Sequence, residues 1–277
     1  QNPATATAHA ATAPSTGTAS SDIAPAAETT AEREAGEARF QQLESQLKAA
    51  ARKVPGRAVA FWVEDRLHNR TFAFHGDRVF RSASLIKIPV AALAYEQWER
   101  RPRRKTPEIA HRVWRIIAES HNPSTDVVVD HVGGLAQVNA FCRRQGWTHT
   151  RMNHKMMAWR TRKAHNVTTA RDMAAMLRAI DDRTLVSAQA SESLWKTLQD
   201  QKIVDRIPAG LPTVPGLRVG NKTGTMLAVV HDVGIVRGAG TRYLLVILIE
   251  RPVQENPADA YCRRVSRLVY EALRPRR

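Results

Sequence analysis

The sequence predicts a mixed α/β fold in two lobes: a five-stranded sheet flanked by helices, with an all-helical lobe inserted into it. Three observations carry this prediction. Stretches rich in β-branched and aromatic residues, AVAFWVEDR (58–66) and TFAFHGDRVF (71–80), open the folded part, and three more follow residue 216. Between residue 84 and about residue 200 strand signals vanish and helical periodicity takes over. Strands far apart in a chain can join in one sheet, leaving the intervening segment as a second lobe. The implied boundaries are a sheet lobe of residues 34–83 and 203–277 and a helical lobe of residues 84–202.

In chain order, residues 1–33 read as a disordered tether. The first 30 positions hold ten Ala and seven Thr, too little bulky surface to offset ordering entropy. The segment lacks a basic n-region and a hydrophobic h-region, so it is not an intact signal peptide. It suits a mature exported protein, periplasmic or secreted. From about Ala31 a helix is expected, with Phe40, Leu43 and Leu47 on one face. Residues 58–66 and 71–80 form a hairpin around LHNR. A helix starts near Ser84, and EIAHRVWRIIAE, STDVVVDHV, GLAQVNAFCRRQ, TTARDMAAMLRAI and SAQASESLWKTLQ are helical in pattern. The loop RIPAGLPTVPGL precedes three strands, LRVGNKTGTML, VVHDVGIVR and TRYLLVILIE, and NPADAYCRRVSRLVYEALR closes the chain as a helix.

With 277 residues, 43% of them hydrophobic, the chain can bury a substantial core. No run approaches a membrane span. The formal charge of +16 fits an anionic neighbour or mere solubility. No zinc-finger, RNA-binding or basic heptad pattern turns that charge into specific nucleic-acid recognition. Cys142 and Cys262 show no metal or disulfide framework and read as separate buried thiols. No metal or other cofactor is expected.

Three polar clusters can carry chemistry. Ser84 and Lys87, in RSASLIKIPVAA, are three positions apart on one helix face. A partly desolvated lysine can lose its proton near neutral pH and serve a hydroxyl as base. The alternative is an N-cap serine and a snorkelling lysine. Ser-x-x-Lys recurs at Ser45–Lys48 and Ser193–Lys196, on amphipathic helix surfaces where it has no such partners. Ser120-His121-Asn122 offers a hydroxyl and an amide at a helix junction, or simply a capped turn. Lys222-Thr223-Gly224 places a cation, a hydroxyl and an approachable backbone on a strand.

Order and context join the three into the signature of class A β-lactamases and penicillin-binding proteins. From about Glu34 onward the chain resembles class A serine β-lactamases and related penicillin-recognising serine hydrolases; RIPAGLP, VGNKTGT and HDVGIV carry further likeness. The resemblance implies an antiparallel sheet, acylation of Ser84 and a general-base role for Lys87. It implies that Ser120 relays a proton to the leaving nitrogen, Asn122 binds the substrate amide, and Lys222 and Thr223, beside Gly224, hold the substrate carboxylate. The backbone N–H groups of Ser84 and Thr225 would form the oxyanion hole. Arg206 would assist with the carboxylate, replacing an arginine that other members place where Val230 stands.

Three departures follow. Met156 occupies the place of the loop glutamate that activates the deacylating water, and no Asp or Glu occurs between His131 and Arg171. His149, His154 and His165 are the substitutes on offer, since a neutral imidazole can act as a base. Only 36 residues separate Ser84 from Ser120, shorter than the family leads one to expect, and His121 stands where an aspartate is usual. The expectation is a monomeric serine hydrolase that acylates on β-lactams, D-alanyl peptides or esters and deacylates slowly. The alternative is a non-catalytic module binding anionic cell-envelope polymers, suggested by the charge and by eight Lys/Arg from Arg143 to Arg171.

Overall fold

The computed structural model describes residues 29–158, 164–250 and 255–275. Most of the expected tether lies outside the described residues. Helix α1 (Thr30–Ala51) begins inside the stretch assigned to it, because Thr29 and Glu32 form a capping box that satisfies two backbone donors. Phe40, Leu43 and Leu47 are buried along its inner face, as the spacing requires.

The sheet contains β1 (Ala58–Asp65), β2 (Arg70–Phe74), β5 (Arg218–Met226), β6 (Val229–Gly238) and β7 (Thr241–Glu250). Their order is β2-β1-β7-β6-β5, every pair antiparallel. Strands from the two ends of the chain thus meet in the middle, where β1 pairs with β7 along its full length. Side chains alternate across a strand. Ala58, Ala60 and Trp62 join Leu244, Val246 and Leu248 in the core beneath the helical block. Val59, Phe61 and Val63 join Leu245, Ile247 and Ile249 beneath α1 and α8 (Glu255–Leu273). A sheet covered on both faces reads as a continuous apolar run, and all eight residues of β1 are buried.

The expected strand over residues 71–80 is split. His75 adopts φ +51°, ending β2, and the chain turns into a short β3 (Phe80–Arg81) that pairs with β4 (Val167–Thr168). The helix expected at Ser84 begins as a 3-10 turn, Ala83–Ile86, and continues as α2 (Lys87–Arg100). Helices α3 (Pro107–Ala118), α4 (Asn122–His131), α5 (Gly134–Arg144), α6 (Ala170–Asp181) and α7 (Ala188–Gln199) complete the block. Residue 168, expected within a helix, belongs instead to β4; Thr169 then caps α6 by accepting from the N–H of Asp172. Cys142 and Cys262 are both buried and free.

Candidate active site

Ser84 lies on the 3-10 turn, 8% exposed, and caps no helix: neither that turn nor α2 has a side-chain cap. Ala83 just before it sits at φ +46°, a left-handed conformation that costs a residue with a Cβ about 1 kcal/mol. The surroundings impose it. The backbone N–H of Arg81 donates to Glu250 Oε1 at 2.6 Å and that of Ser82 to the Asn166 carbonyl at 2.8 Å. His231, fully buried on β6, accepts at Nδ1 from the Ile249 N–H at 3.0 Å, which leaves Nε2 to donate to the Arg81 carbonyl at 2.8 Å. Burial lowers this imidazole to about 4, keeping it neutral for that role.

Gly224 explains how the serine turn reaches β5. A Cβ there would stand 3.2 Å from Leu85 Cγ, 3.2 Å from the Ser82 carbonyl and 3.3 Å from His231 Cβ. The glycine admits the protein's own serine-bearing turn against the strand.

Lys87 and Lys222 are fully buried from opposite sides. Lys87 Nζ donates to the Ser120 carbonyl at 2.5 Å, to Ser120 Oγ at 3.2 Å and to Asn122 Oδ1 at 2.6 Å. Ser84 is not among its partners. Ser120 itself is held at φ +56°, which turns its carbonyl toward the lysine. Lys222 Nζ donates to the same Ser120 Oγ at 3.0 Å and to the Thr223 carbonyl at 2.9 Å. Burial lowers Lys87 from its ordinary value to about 7, with Asp126 opposing the shift. Burial, then the charge of Lys87, pushes Lys222 well below its ordinary value.

Arg206 is 3% exposed and not a loose surface arginine. Its Nη2 donates to Thr225 Oγ1 at 2.7 Å, Nη1 to the His231 carbonyl at 2.8 Å and Nε to Asp259 at 2.6 Å. Asp232, buried beneath Lys222, accepts from Asn221 Nδ2 at 2.9 Å and from the Ile207 N–H at 2.8 Å; burial raises its carboxyl to about 7. The bracing roles of His231, Asp232 and Asp259 are not legible in the sequence, because their partners are remote along the chain.

These contacts bring the three polar clusters and Arg206 into one neighbourhood. The other two Ser-x-x-Lys pairs stay apart from it: Ser45 donates to the Gln41 carbonyl while Lys48 pairs with Glu44, and Lys196 pairs with Glu192. A family model described as the β-lactamase enzyme family matches residues 42–109 and 98–273.

The chain belongs to the β-lactamase enzyme family.

Solved structures agree in fold. PBP-A matches with a TM-score of 0.75 at 23% identity over 84% of this chain and 96% of that one. A β-lactamase from Sphaerobacter thermophilus matches at 0.71 with 23% identity, covering 86% and 97%. An ancestral class A β-lactamase matches at 0.72 with 26% identity, covering 84% and 100%. No curated protein matches the sequence.

In this β-lactamase-family chain the described part of the loop after α5 is tied to α4. Met156 is half-buried against the core, its N–H donating to Asp126 Oδ1 at 2.6 Å; the N–H of Met157 donates to Oδ2 at 2.9 Å. Lys155 pairs with Asp130 at 2.6 Å, so α4 holds the loop by two carboxylates. His149 Nδ1 faces Thr148 Oγ1 at 3.2 Å and His154 Nδ1 the Lys155 carbonyl at 2.7 Å, contacts local to their own segments. Part of the loop, residues 159–163, lies outside the described residues. His121 caps α4: its Nδ1 accepts from the Ser124 N–H at 3.2 Å. A cavity of about 610 Å³ opens beside β3, lined by Phe80, Arg81, Asn153, His165 and Glu250 among others, and it is not lined by Ser84, Lys87 or Lys222.

Proposed function

We propose that the protein is an exported serine hydrolase that acylates at Ser84 on β-lactams or on D-alanyl peptides and esters, and releases the acyl group slowly. The observation that carries the reading is the meeting of Lys87 and Lys222 on one oxygen, Ser120 Oγ, beside the turn that presents Ser84. In this reading, neutral Lys87 accepts the Ser84 hydroxyl proton as the oxygen attacks the substrate carbonyl. The proton reaches the leaving nitrogen through Ser120 as the C–N bond breaks. Lys87 occupies the carbonyl oxygen of Asn122, so the amide NH₂ is the group left to meet a substrate amide. Lys222 and Thr223, beside Gly224, receive the substrate carboxylate, with Arg206 adding positive charge from behind Thr225. The N–H groups of Ser84 and Thr225 face the developing oxyanion, each worth about 3 kcal/mol in sites of this kind.

Slow release follows from chemistry. An acyl ester needs a base aimed at a water, and the thioether of Met156 supplies none. A solved structure of a PBP-A variant is an acyl-enzyme complex with penicillin G, so a protein of this fold can carry the adduct proposed here. The residue 34–83 and 203–277 lobe with its 84–202 insert would then form one catalytic unit acting as a monomer. Incubation with benzylpenicillin followed by time-resolved intact-mass measurement tests the reading. It expects one added penicilloyl mass that persists after free drug is removed; no adduct, or an unchanged adduct on Ser84→Ala, sinks it.

A further inference from the structure

Helix α2 carries Lys87 at its first position and ends in a strongly cationic turn. The run from Arg100 to Lys105 is basic at every position except Pro102. The end of α5 adds Arg143 and Arg144 to the same surface, because Arg144 reaches Glu96 Oε1 at 2.8 Å while Arg100 lies 3.6 Å from the other oxygen of that carboxylate. Arg104 anchors the turn, donating to Gln97 Oε1 at 2.7 Å and to the His131 carbonyl. Lys105 stacks over Trp98 at 5.5 Å and Arg144 over Phe141 at 5.7 Å, which partly orders both.

Folding does not require such a surface. A helix C-terminus favours one or two cations within its last turn. Here the charges span a helix end, a turn and a second helix. Arg101, Arg103, Lys105 and Arg143 are exposed and form no ion pair among the described residues. The carboxylates on the same stretch of α2, Glu96 and Glu99, are too few to balance them. The surface lies about 20 Å along α2 from Lys87, at ~1.5 Å per residue, so it can be occupied while the site stays open.

The chemistry narrows the occupant. Guanidinium forks fit phosphate oxygens in pairs. The rings beneath the cations, Trp98 and Phe141, are buried, so no platform is offered to stack a base. None of the exposed large hydrophobic side chains belongs to this surface, so nothing there inserts into a bilayer. We propose that Arg100, Arg101, Arg103, Lys105, Arg143 and Arg144 form a docking surface for a phosphodiester polymer of the cell envelope. The choice of an envelope polymer rests on the exported location proposed above; the surface itself does not.

The test compares the wild type with Arg101→Glu/Arg103→Glu/Lys105→Glu/Arg143→Glu, and with a control reversed elsewhere, Arg264→Glu/Arg267→Glu on α8. Binding of fluorescent poly(glycerol phosphate) is measured by anisotropy alongside an oligo(dT) strand and phosphatidylglycerol vesicles. The expected result is polymer binding that weakens roughly tenfold or more between about 50 and 200 mM salt, is lost in the fourfold variant, and survives in the control and in Ser84→Ala. Penicillin acylation of the fourfold variant should stay within about twofold of wild type, which shows that it folds and separates this proposal from the catalytic one. Equal loss in the α8 control, or tighter binding of oligo(dT) or vesicles than of the polymer, overturns it. So does polymer binding by the folded fourfold variant at wild-type strength.

Discussion

Lys87 and Lys222 donate to the same hydroxyl, Ser120 Oγ, at 3.2 and 3.0 Å, and both ammonium groups are shut away from solvent. Burial disfavours the charged form of each, and at Lys222 the charge of Lys87 adds to the effect. Asp126 partly offsets this for Lys87, and Asp232 for Lys222. The pair therefore gives up a proton far more readily than two solvated lysines would. In the reaction proposed above, that readiness is what lets Lys87 serve as the base for Ser84.

The sign of the pH dependence follows. With Lys87 lowered to about 7, the neutral base accumulates as pH rises through that value. The acylation rate with a fluorescent penicillin should climb between about pH 6 and pH 8 and then level off. Lys87→Ala should fall by at least about 100-fold, and Lys87→Arg should stay low throughout, since a guanidinium does not deprotonate. A flat wild-type profile across that range counts against Lys87 as the base.

Arg206→Lys separates the proposed carboxylate-binding role from chemistry. The planar fork donates to Thr225, His231 and Asp259 together, and a single ammonium cannot reproduce three diverging bonds. The expected outcome is a rise of roughly tenfold in the penicillin concentration giving half-maximal acylation, with the saturating rate changed much less. An equal fall in the saturating rate would place Arg206 closer to the reacting atoms than proposed.

Much of this architecture is legible in sequence because long, strongly patterned elements dominate it. Strands β5 to β7 and helices α3 to α8 lie within a few residues of their sequence limits. The failures have physical causes. Leu85, Ile86 and Ile88 are all fully buried, so the start of α2 has no polar face and its periodicity conceals a 3-10 turn. The β3–β4 ladder is two residues long, below what a pattern can register. The polar clusters were readable as short motifs, whereas the groups that brace them are not: Asn166, His231 and Asp232 act through bonds to residues far away in the chain.

Asp181 tests stability independently of the site. It is fully buried at the end of α6 and binds Arg237 at 2.6 Å, Arg242 at 2.9 Å and Arg66 at 3.3 Å. Its removal leaves a cluster of arginines with their shared anion gone. Asp181→Ala should cost about 3 kcal/mol in urea unfolding, in the range seen when one partner of a buried pair is removed. Acylation of the folded fraction should be unchanged. A loss below about 0.5 kcal/mol would mean that Asp182 and Glu64, which also contact Arg66, carry the load.

Met156→Glu asks whether the loop alone limits turnover. The Met156 N–H is already fixed by Asp126, so the substitution changes the side chain on a held backbone. A carboxylate there costs some stability, since the thioether packs against the core, and Asn166 Nδ2, which donates to the Met156 sulfur at 3.9 Å, offsets part of that cost by offering the carboxylate a hydrogen bond. If the missing base is the defect, the variant should acylate at the wild-type rate while its adduct lifetime, followed by intact mass, shortens by roughly tenfold or more, the low end of what a positioned general base supplies. An unchanged lifetime in a folded, acylating variant would move the cause elsewhere: a glutamate at this position would not reach the ester, and the loop's attachment to α4 would be the feature to alter next.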